Sequence, residues 1–205
     1  MQPVCEARSL ETHHHELLLR NLEDLASHGR TIHHAERNGF IQIVDYYAAS
    51  SAIESLKQDP LLRLSVNVSS HTVEALGAEY VERIPANPSI CSRLSVELTE
   101  TRAPQMASVL AFRGRLMDRG IGFSIDDFGP DYPLDLAQVR DLRPDEIKLS
   151  GVALALAMEG DFTFFEQVMT LGCRVVAECI DTPEKLEFVR DYGIALVQGY
   201  IIHRR

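Results

Sequence analysis

The chain has 205 residues, a length for one domain or two very small ones. Thirty acidic against twenty basic residues give a formal charge of -10, which argues against holding a DNA or RNA polymer by general charge attraction. Twelve glycines and nine prolines in a mixed composition exclude collagen-like and low-complexity chains, and no apolar run reaches the roughly 18 residues of a membrane helix.

The first eleven residues lack the apolar centre of a signal peptide. Cys5, Cys91, Cys173 and Cys179 are scattered without a C-x-x-C pair and read as reduced thiols of a cytoplasmic protein. His13-His14-His15 makes a poor single chelate, because consecutive side chains point in different directions.

An early apolar run lies near Glu16 to Leu19. Ile41 to Lys57 then predicts a helix with Ile43, Val44, Tyr47, Ile53 and Leu56 as its apolar stripe. Arg63-Leu64-Ser65-Val66-Asn67-Val68 alternates strictly and predicts a strand. Val73, Leu76, Tyr80 and Ile84 predict a helix over 72–84. Arg93-Leu94-Ser95-Val96-Glu97-Leu98 repeats the strand pattern and its R-L-S-V. Pro104 suits a first helical turn, and the pattern runs to Arg119, before Gly120. Strands follow at Ile121 to Asp126, Glu146 to Leu149, Arg174 to Ala177 and Ala195 to Val197. A long helical stretch, Val152 to Leu171, is interrupted at Gly160-Asp161. Thr182-Pro183 opens a last helix ending near Gly193.

This alternation predicts an α/β protein with a parallel sheet, open or closed into a barrel. No linker divides residues 1–205, so the chain reads as one domain. A (β/α)8-like, TIM-type barrel would be a trimmed one at this length. An open doubly wound sheet is the rival, though no G-x-G-x-x-G or Walker A sequence is present.

Polar residues recur where strands end: Glu16, Asn67, Glu97, Asp126 with Asp127, Lys148, Glu178 and Gln198. In a parallel barrel they would gather at one mouth. Each alone reads as a cap or a solvated loop residue. As a set, the carboxylates would repel one another without cations. Oxygen ligands suit Mg²⁺, Mn²⁺ or Ca²⁺, and a lysine among them can offset charge or orient a nucleophile. This is chemistry for metal-assisted attack on a phosphate ester; the substrate is not readable from it.

Nine fragments in order resemble the EAL domain family, bacterial phosphodiesterases of cyclic di-GMP. Gln2-Pro3-Val4 is similar to the family's opening strand, and Glu16-Leu17-Leu18-Leu19-Arg20 to E-x-L-x-R, with leucine for the alanine of E-A-L. Ala35-Glu36-Arg37-Asn38-Gly39 resembles A-E-E-T-G. Val66-Asn67-Val68-Ser69 resembles V-N-L-S, and Glu97-Leu98-Thr99-Glu100 matches E-[IL]-T-E. Asp126-Asp127-Phe128-Gly129, Ile147-Lys148, Ala177-Glu178 and Val197-Gln198-Gly199-Tyr200 complete the series.

The resemblance implies a (β/α)8-like barrel with one antiparallel strand and hydrolysis of cyclic di-GMP to pGpG. It implies Mg²⁺ or Mn²⁺ on Glu16, Asn67, Glu97 and Asp126, with Asp126 and Asp127 serving a second ion. Glu178 would be the general base or hold the attacking water, which Lys148 would orient. Glu100 would brace the loop after Asp127. Arg20 would hold a ligand phosphate and Gln2 a ligand base, with Gln198 also on the substrate side.

The departures fall on the active loop. The family's D-F-G-T-G-Y-S-S reads Asp127-Phe128-Gly129-Pro130-Asp131-Tyr132-Pro133-Leu134, where two prolines fix backbone angles. Leu149-Ser150 stands for I-D, which removes a carboxylate. Cys179-Ile180-Asp181 stands for G-V-E, and the segment from Arg20 to Ala35 is short. No receiver, PAS-like or GGDEF pattern precedes the barrel. These departures predict impaired hydrolysis. They leave open an inactive cyclic di-GMP-binding module or a protein-interaction domain, with a homodimer or a protein partner as further alternatives.

Overall fold

The computed structural model describes residues 1–19, 28–99 and 102–202. Eight strands close a barrel in sequence order: β1 (Gln2–Glu6), β2 (Thr12–Leu17), β3 (Leu64–Ser69), β4 (Leu94–Thr99), β5 (Gly122–Phe128), β6 (Glu146–Leu149), β7 (Arg174–Ala177) and β8 (Leu196–Val197). β1 is antiparallel to both β2 and β8; every other pairing is parallel. The closed barrel replaces the open sheet. The early strand lies further toward the N-terminus than its apolar run suggests, because His14 and Glu16 face inward and break the apolar signal.

Period-two alternation separates two interiors. Leu64, Val66 and Val68, with Leu94, Val96 and Leu98, face outward and pack beneath the helices in the main apolar core. The alternate positions, Ser65, Asn67, Ser95 and Glu97, face the barrel axis. Among the described residues, Val4, Val176 and Leu196 form a separate apolar cluster there. The axis is therefore mostly polar, while helix-on-sheet burial supplies the hydrophobic stabilisation.

The helices are α1 (His28–Arg37), α2 (Ile41–Gln58), α3 (Ser70–Arg83), α4 (Pro88–Cys91), α5 (Met106–Asp118), α6 (Leu136–Leu142), α7 (Gly151–Met158), α8 (Thr163–Met169) and α9 (Pro183–Asp191). Pro104 lies before α5 rather than in its first turn. The break between α7 and α8 falls at Gly160, whose φ of 100° suits glycine. In α2 the expected stripe holds at its C-terminal half, where Ile53 and Leu56 are buried, and fails at the N-terminal half: Ile43 and Tyr47 are 68% and 66% exposed, while Ile41, Asp45 and Ala49 are buried.

Buried Asp45 accepts hydrogen bonds from Ser69 N (3.1 Å) and Thr72 Oγ1. Ser69 Oγ donates to Glu36 Oε1 at 3.0 Å. Burial pushes the Asp45 carboxyl up to about 6 against those two hydrogen bonds, with Glu36 adding to the rise. The folded state thus binds this proton more tightly than an unfolded chain, whose Asp titrates near 4. Its stabilising contribution is complete below about pH 4 and is lost as the pH rises through about 6. Raising the pH from 4 to 7 is expected to cost wild type about 2–3 kcal/mol relative to Asp45→Asn. Urea unfolding at both pH values measures it; parallel curves would show that Asp45 binds its proton equally well in the folded and unfolded states.

Candidate functional site

The strand ends open on a mouth cavity of about 860 Å³. Parallel registers bring its groups level, with Asn67 beside Glu97 across β3–β4 and Gln2 beside Glu16 across the antiparallel β1–β2 pair. Lys148 is at the centre, 1% exposed. Its Nζ lies 3.0 Å from Glu16 Oε2, 3.0 Å from Glu97 Oε2, 2.7 Å from Asp126 Oδ1 and 3.1 Å from Glu178 Oε1. Gln198 Nε2 donates to Glu16 Oε2 at 2.6 Å, and Asn67 Nδ2 donates to Glu16 Oε1 at 2.9 Å.

One ammonium among four carboxylates cannot neutralise them, and the titration behaviour follows. Burial, reinforced by Glu16 and Asp126 and opposed by Lys148, raises Glu97 well above the usual carboxylate range. Burial also pushes Glu178 up to about 8 against the pull of Lys148, with Asp126 and Glu16 adding to the rise. For Glu16, burial acts upward, but Lys148, Gln198 and Asn67 together hold it below its ordinary value. Burial acts downward on Lys148 and is outweighed by Glu97, Asp126, Glu178 and Glu16, so the amine stays charged.

The residues fit a hard divalent cation. Carboxylate oxygens of Glu16, Glu97 and Asp126 lie within 4.8 Å of one another. Asn67 Oδ1 and Glu97 Oε1 are buried without a hydrogen-bond partner, as acceptors awaiting an ion are. Gln198 Oε1 is likewise unpartnered. Gly199 is required beside it: a Cβ there would stand 2.3 Å from the backbone of Ile180.

Asp127 is set apart from the cluster. It is exposed, lines the mouth and has a φ of 51°, in the left-handed region that an aspartate adopts more readily than most residues. Burial and neighbouring Asp126 raise its carboxyl, against Lys148. Ser150 is committed elsewhere: its Oγ accepts from Ala153 N at 3.3 Å and caps α7. A Cβ on Gly129 would lie 2.5 Å from that Oγ, so Ser150 packs on the loop carrying Asp127. Pro130, Asp131 and Pro133 all line the mouth.

Arg20 and Glu100 lie outside the described residues. Glu36, Asp45 and Ser69 also form part of the mouth wall and were missed as site residues. The available signal was an aspartate at a buried position of an otherwise apolar-patterned helix. Among the described residues no metal-holding group gathers at His13-His14-His15, and the four cysteines are free thiols. No described helix is long and apolar enough to cross a membrane.

The cyclic di-GMP phosphodiesterase NbdA of Pseudomonas aeruginosa is 28% identical over 220 residues, covering 99% of this chain and 28% of that protein. The oxygen sensor protein DosP of Escherichia coli is 26% identical over 99% of this chain and 27% of its own length. The chain thus spans less than a third of these two relatives. Among solved structures, the PaMucR phosphodiesterase in complex with c-di-GMP matches 99% of this chain and 89% of its own, with a TM-score of 0.81 at 24% identity. An EAL domain protein of Listeria monocytogenes covers 99% of this chain and 85% of its own, with a TM-score of 0.74 at 22% identity. The family model described as "EAL domain" matches residues 1–205, and with the barrel and its acidic mouth this places the chain in the EAL domain family.

Proposed function

We propose that this domain is a metal-dependent phosphodiesterase that opens cyclic di-GMP to pGpG with impaired turnover. The observation that carries the reading is the meeting of Glu16, Glu97 and Asp126 around Lys148, with bare acceptors on Asn67 and Glu97. The substrate class rests on likeness to NbdA and to the PaMucR complex.

Glu16, Asn67, Glu97 and Asp126 would hold Mg²⁺ or Mn²⁺, which when bound would supply Lewis-acid activation of the phosphate ester and of water. Hydrolysis forms one bond from water oxygen to phosphorus and breaks one ester P–O bond. Glu178 takes a proton from the water, and a proton ends on the leaving sugar oxygen. Lys148, within ion-pair reach of both Glu178 and Asp126, fixes the base relative to the ion site. Gln2 and Gln198 face the ligand from the mouth wall. Arg20 on a phosphate and Glu100 bracing the Asp127 loop rest on the motif match alone. The reading places the domain in the cytoplasm.

A second reading, binding without turnover, is favoured by Ser150 and Asp127. Ser150 offers a hydroxyl already used as a helix cap, so a second ion leans on Asp126 and Asp127 without further charge. The test runs in stages. Millimolar Mn²⁺ or Mg²⁺ is expected to raise Tm by selective binding to the folded state, and Glu97→Ala to abolish the rise. An unmoved Tm in wild type removes the metal reading. Calorimetry with cyclic di-GMP follows; absence of heat at high ligand would leave only a protein-interaction role. Product analysis then separates enzyme from binder. Ser150→Asp, which keeps a capping oxygen, combined with Pro130→Thr and Asp131→Gly is expected to raise pGpG formation about tenfold or more. Equal rates for wild type and this variant would show that the departures are harmless.

A further inference from the structure

Two sequence features have no part in the mouth: the histidine triplet and the repeated Arg-Leu-Ser-Val. Both arrive at the opposite end of the barrel. A second cavity of about 320 Å³ opens there, at the N-terminal ends of the parallel strands. His13 and His14 come from β2, and Arg63 and Arg93 stand just before β3 and β4.

Charge accounting separates this floor from the rest of the molecule. Four guanidinium groups line it, Arg63, Arg93, Arg113 and Arg174, against two carboxylates. Arg174 Nε lies 3.4 Å from Glu146 Oε2, and Arg113 Nη2 lies 3.3 Å from Asp145 Oδ2. Those pairs cancel. Arg93 spends its hydrogens on backbone carbonyls of Ser89, Asp59, Leu62 and Leu56, at 2.7–2.8 Å. Carbonyl dipoles orient that group without cancelling its charge. Among the described residues no carboxylate pairs with Arg63 or Arg93.

The floor thus keeps an excess of two positive charges in a chain of net charge -10. Burial, Arg174 and Arg63 lower His13 against Glu6. His13 and His14 share a hydrogen bond between their Nδ1 atoms at 2.9 Å, so the pair can present one donor and one acceptor.

We propose that this floor cavity is a binding site for a small tetrahedral oxyanion of the phosphate class, held by the guanidinium fork of Arg63, with the charge of Arg93 behind it and His13 at its side. A dianion matches the two uncompensated charges, and the Arg63 fork matches its oxygens, while Arg93, its hydrogens held by backbone carbonyls, contributes field rather than a second fork. The volume exceeds that of one phosphate and leaves room for a small group esterified to it. The proposal stands apart from the chemistry of the mouth.

The test uses the whole chain with EDTA present, so that mouth cations do not recruit the anion. Inorganic phosphate is titrated by calorimetry and phosphorus NMR against chloride of matched ionic strength, with sulfate and acetate as further arms. Kosmotropic anions raise the Tm of any protein, so a saturable response is the diagnostic one. Phosphate and sulfate are expected to saturate and acetate not. Arg63→Gln, at an exposed position, is expected to weaken phosphate about tenfold, and Arg63→Gln with His13→Gln further. Glu97→Ala is expected to leave phosphate affinity unchanged. A linear response equal to chloride, an unaltered affinity in Arg63→Gln, acetate binding as well as phosphate, or loss of binding in Glu97→Ala would each overturn the proposal. Should the double variant fail to fold, Arg63→Gln alone decides.

Discussion

Lys148→Met is expected to lower the stability of the metal-free protein by about 3–5 kcal/mol, the usual cost of leaving buried charge without its partner. Four carboxylates lie within 3.1 Å of the ammonium, and no other cation reaches them among the described residues. Methionine fills similar volume, so the loss is electrostatic. The remaining carboxyls then titrate above their unfolded values. Their stabilising share is present at low pH and lost as the pH rises through the folded values, so the deficit deepens from pH 5 to pH 8. Millimolar Mn²⁺ is expected to recover part of it by standing in as counter-charge. Urea midpoints with EDTA and with Mn²⁺ measure both effects. A loss below about 1 kcal/mol that ignores pH and metal would mean that the ammonium is not the balancing charge of this cluster.

Glu178→Gln is expected to reduce pGpG formation by about 10²–10⁴-fold while leaving cyclic di-GMP affinity within about threefold. The change keeps shape and removes only the proton acceptor. It also takes one charge from a crowded cluster, so Tm is expected to hold or rise. That combination separates a chemical role from a structural one: a damaged fold would lose affinity, stability and rate together. Single-turnover assays with Mn²⁺, alongside calorimetry, provide the comparison. Turnover within tenfold of wild type would remove Glu178 as the base and leave Asp127 or bulk water to take the proton.

Much of this barrel was legible because its strands alternate so cleanly. Leu64, Val66 and Val68 announce β3, and the polar residues between them are the ones that reach the axis. Glu97, Asp126 and Lys148 are legible in the same way, as polar residues on or at the ends of apolar strands. What failed has physical causes. The N-terminal half of the α2 stripe is misplaced because the buried face there runs through Asp45 and Ala49, which a search for bulky apolar side chains passes over. α6 was missed because its start depends on a capping box between Asp135 and Gln138 rather than on an apolar stripe. The left-handed turn at Asp127 carries only the weak signal of an aspartate, since glycine is the stronger marker and comes two positions later.

The reversed direction of β1 has a consequence for anything joined to this domain. A barrel of eight parallel strands would begin its first strand at the floor. Here β1 runs against its neighbours, and Gln2 begins it at the mouth. β8 also finishes at the mouth, with Gln198 and Gly199 on the cavity wall. The start of β1 and the end of β8 therefore both sit on the rim where a ligand would enter. A module inserted next to either would be tethered beside that entrance and could crowd it or clear it without deforming the barrel. Because β1 and β8 are paired neighbours, these two points lie side by side on one stretch of the rim rather than across it.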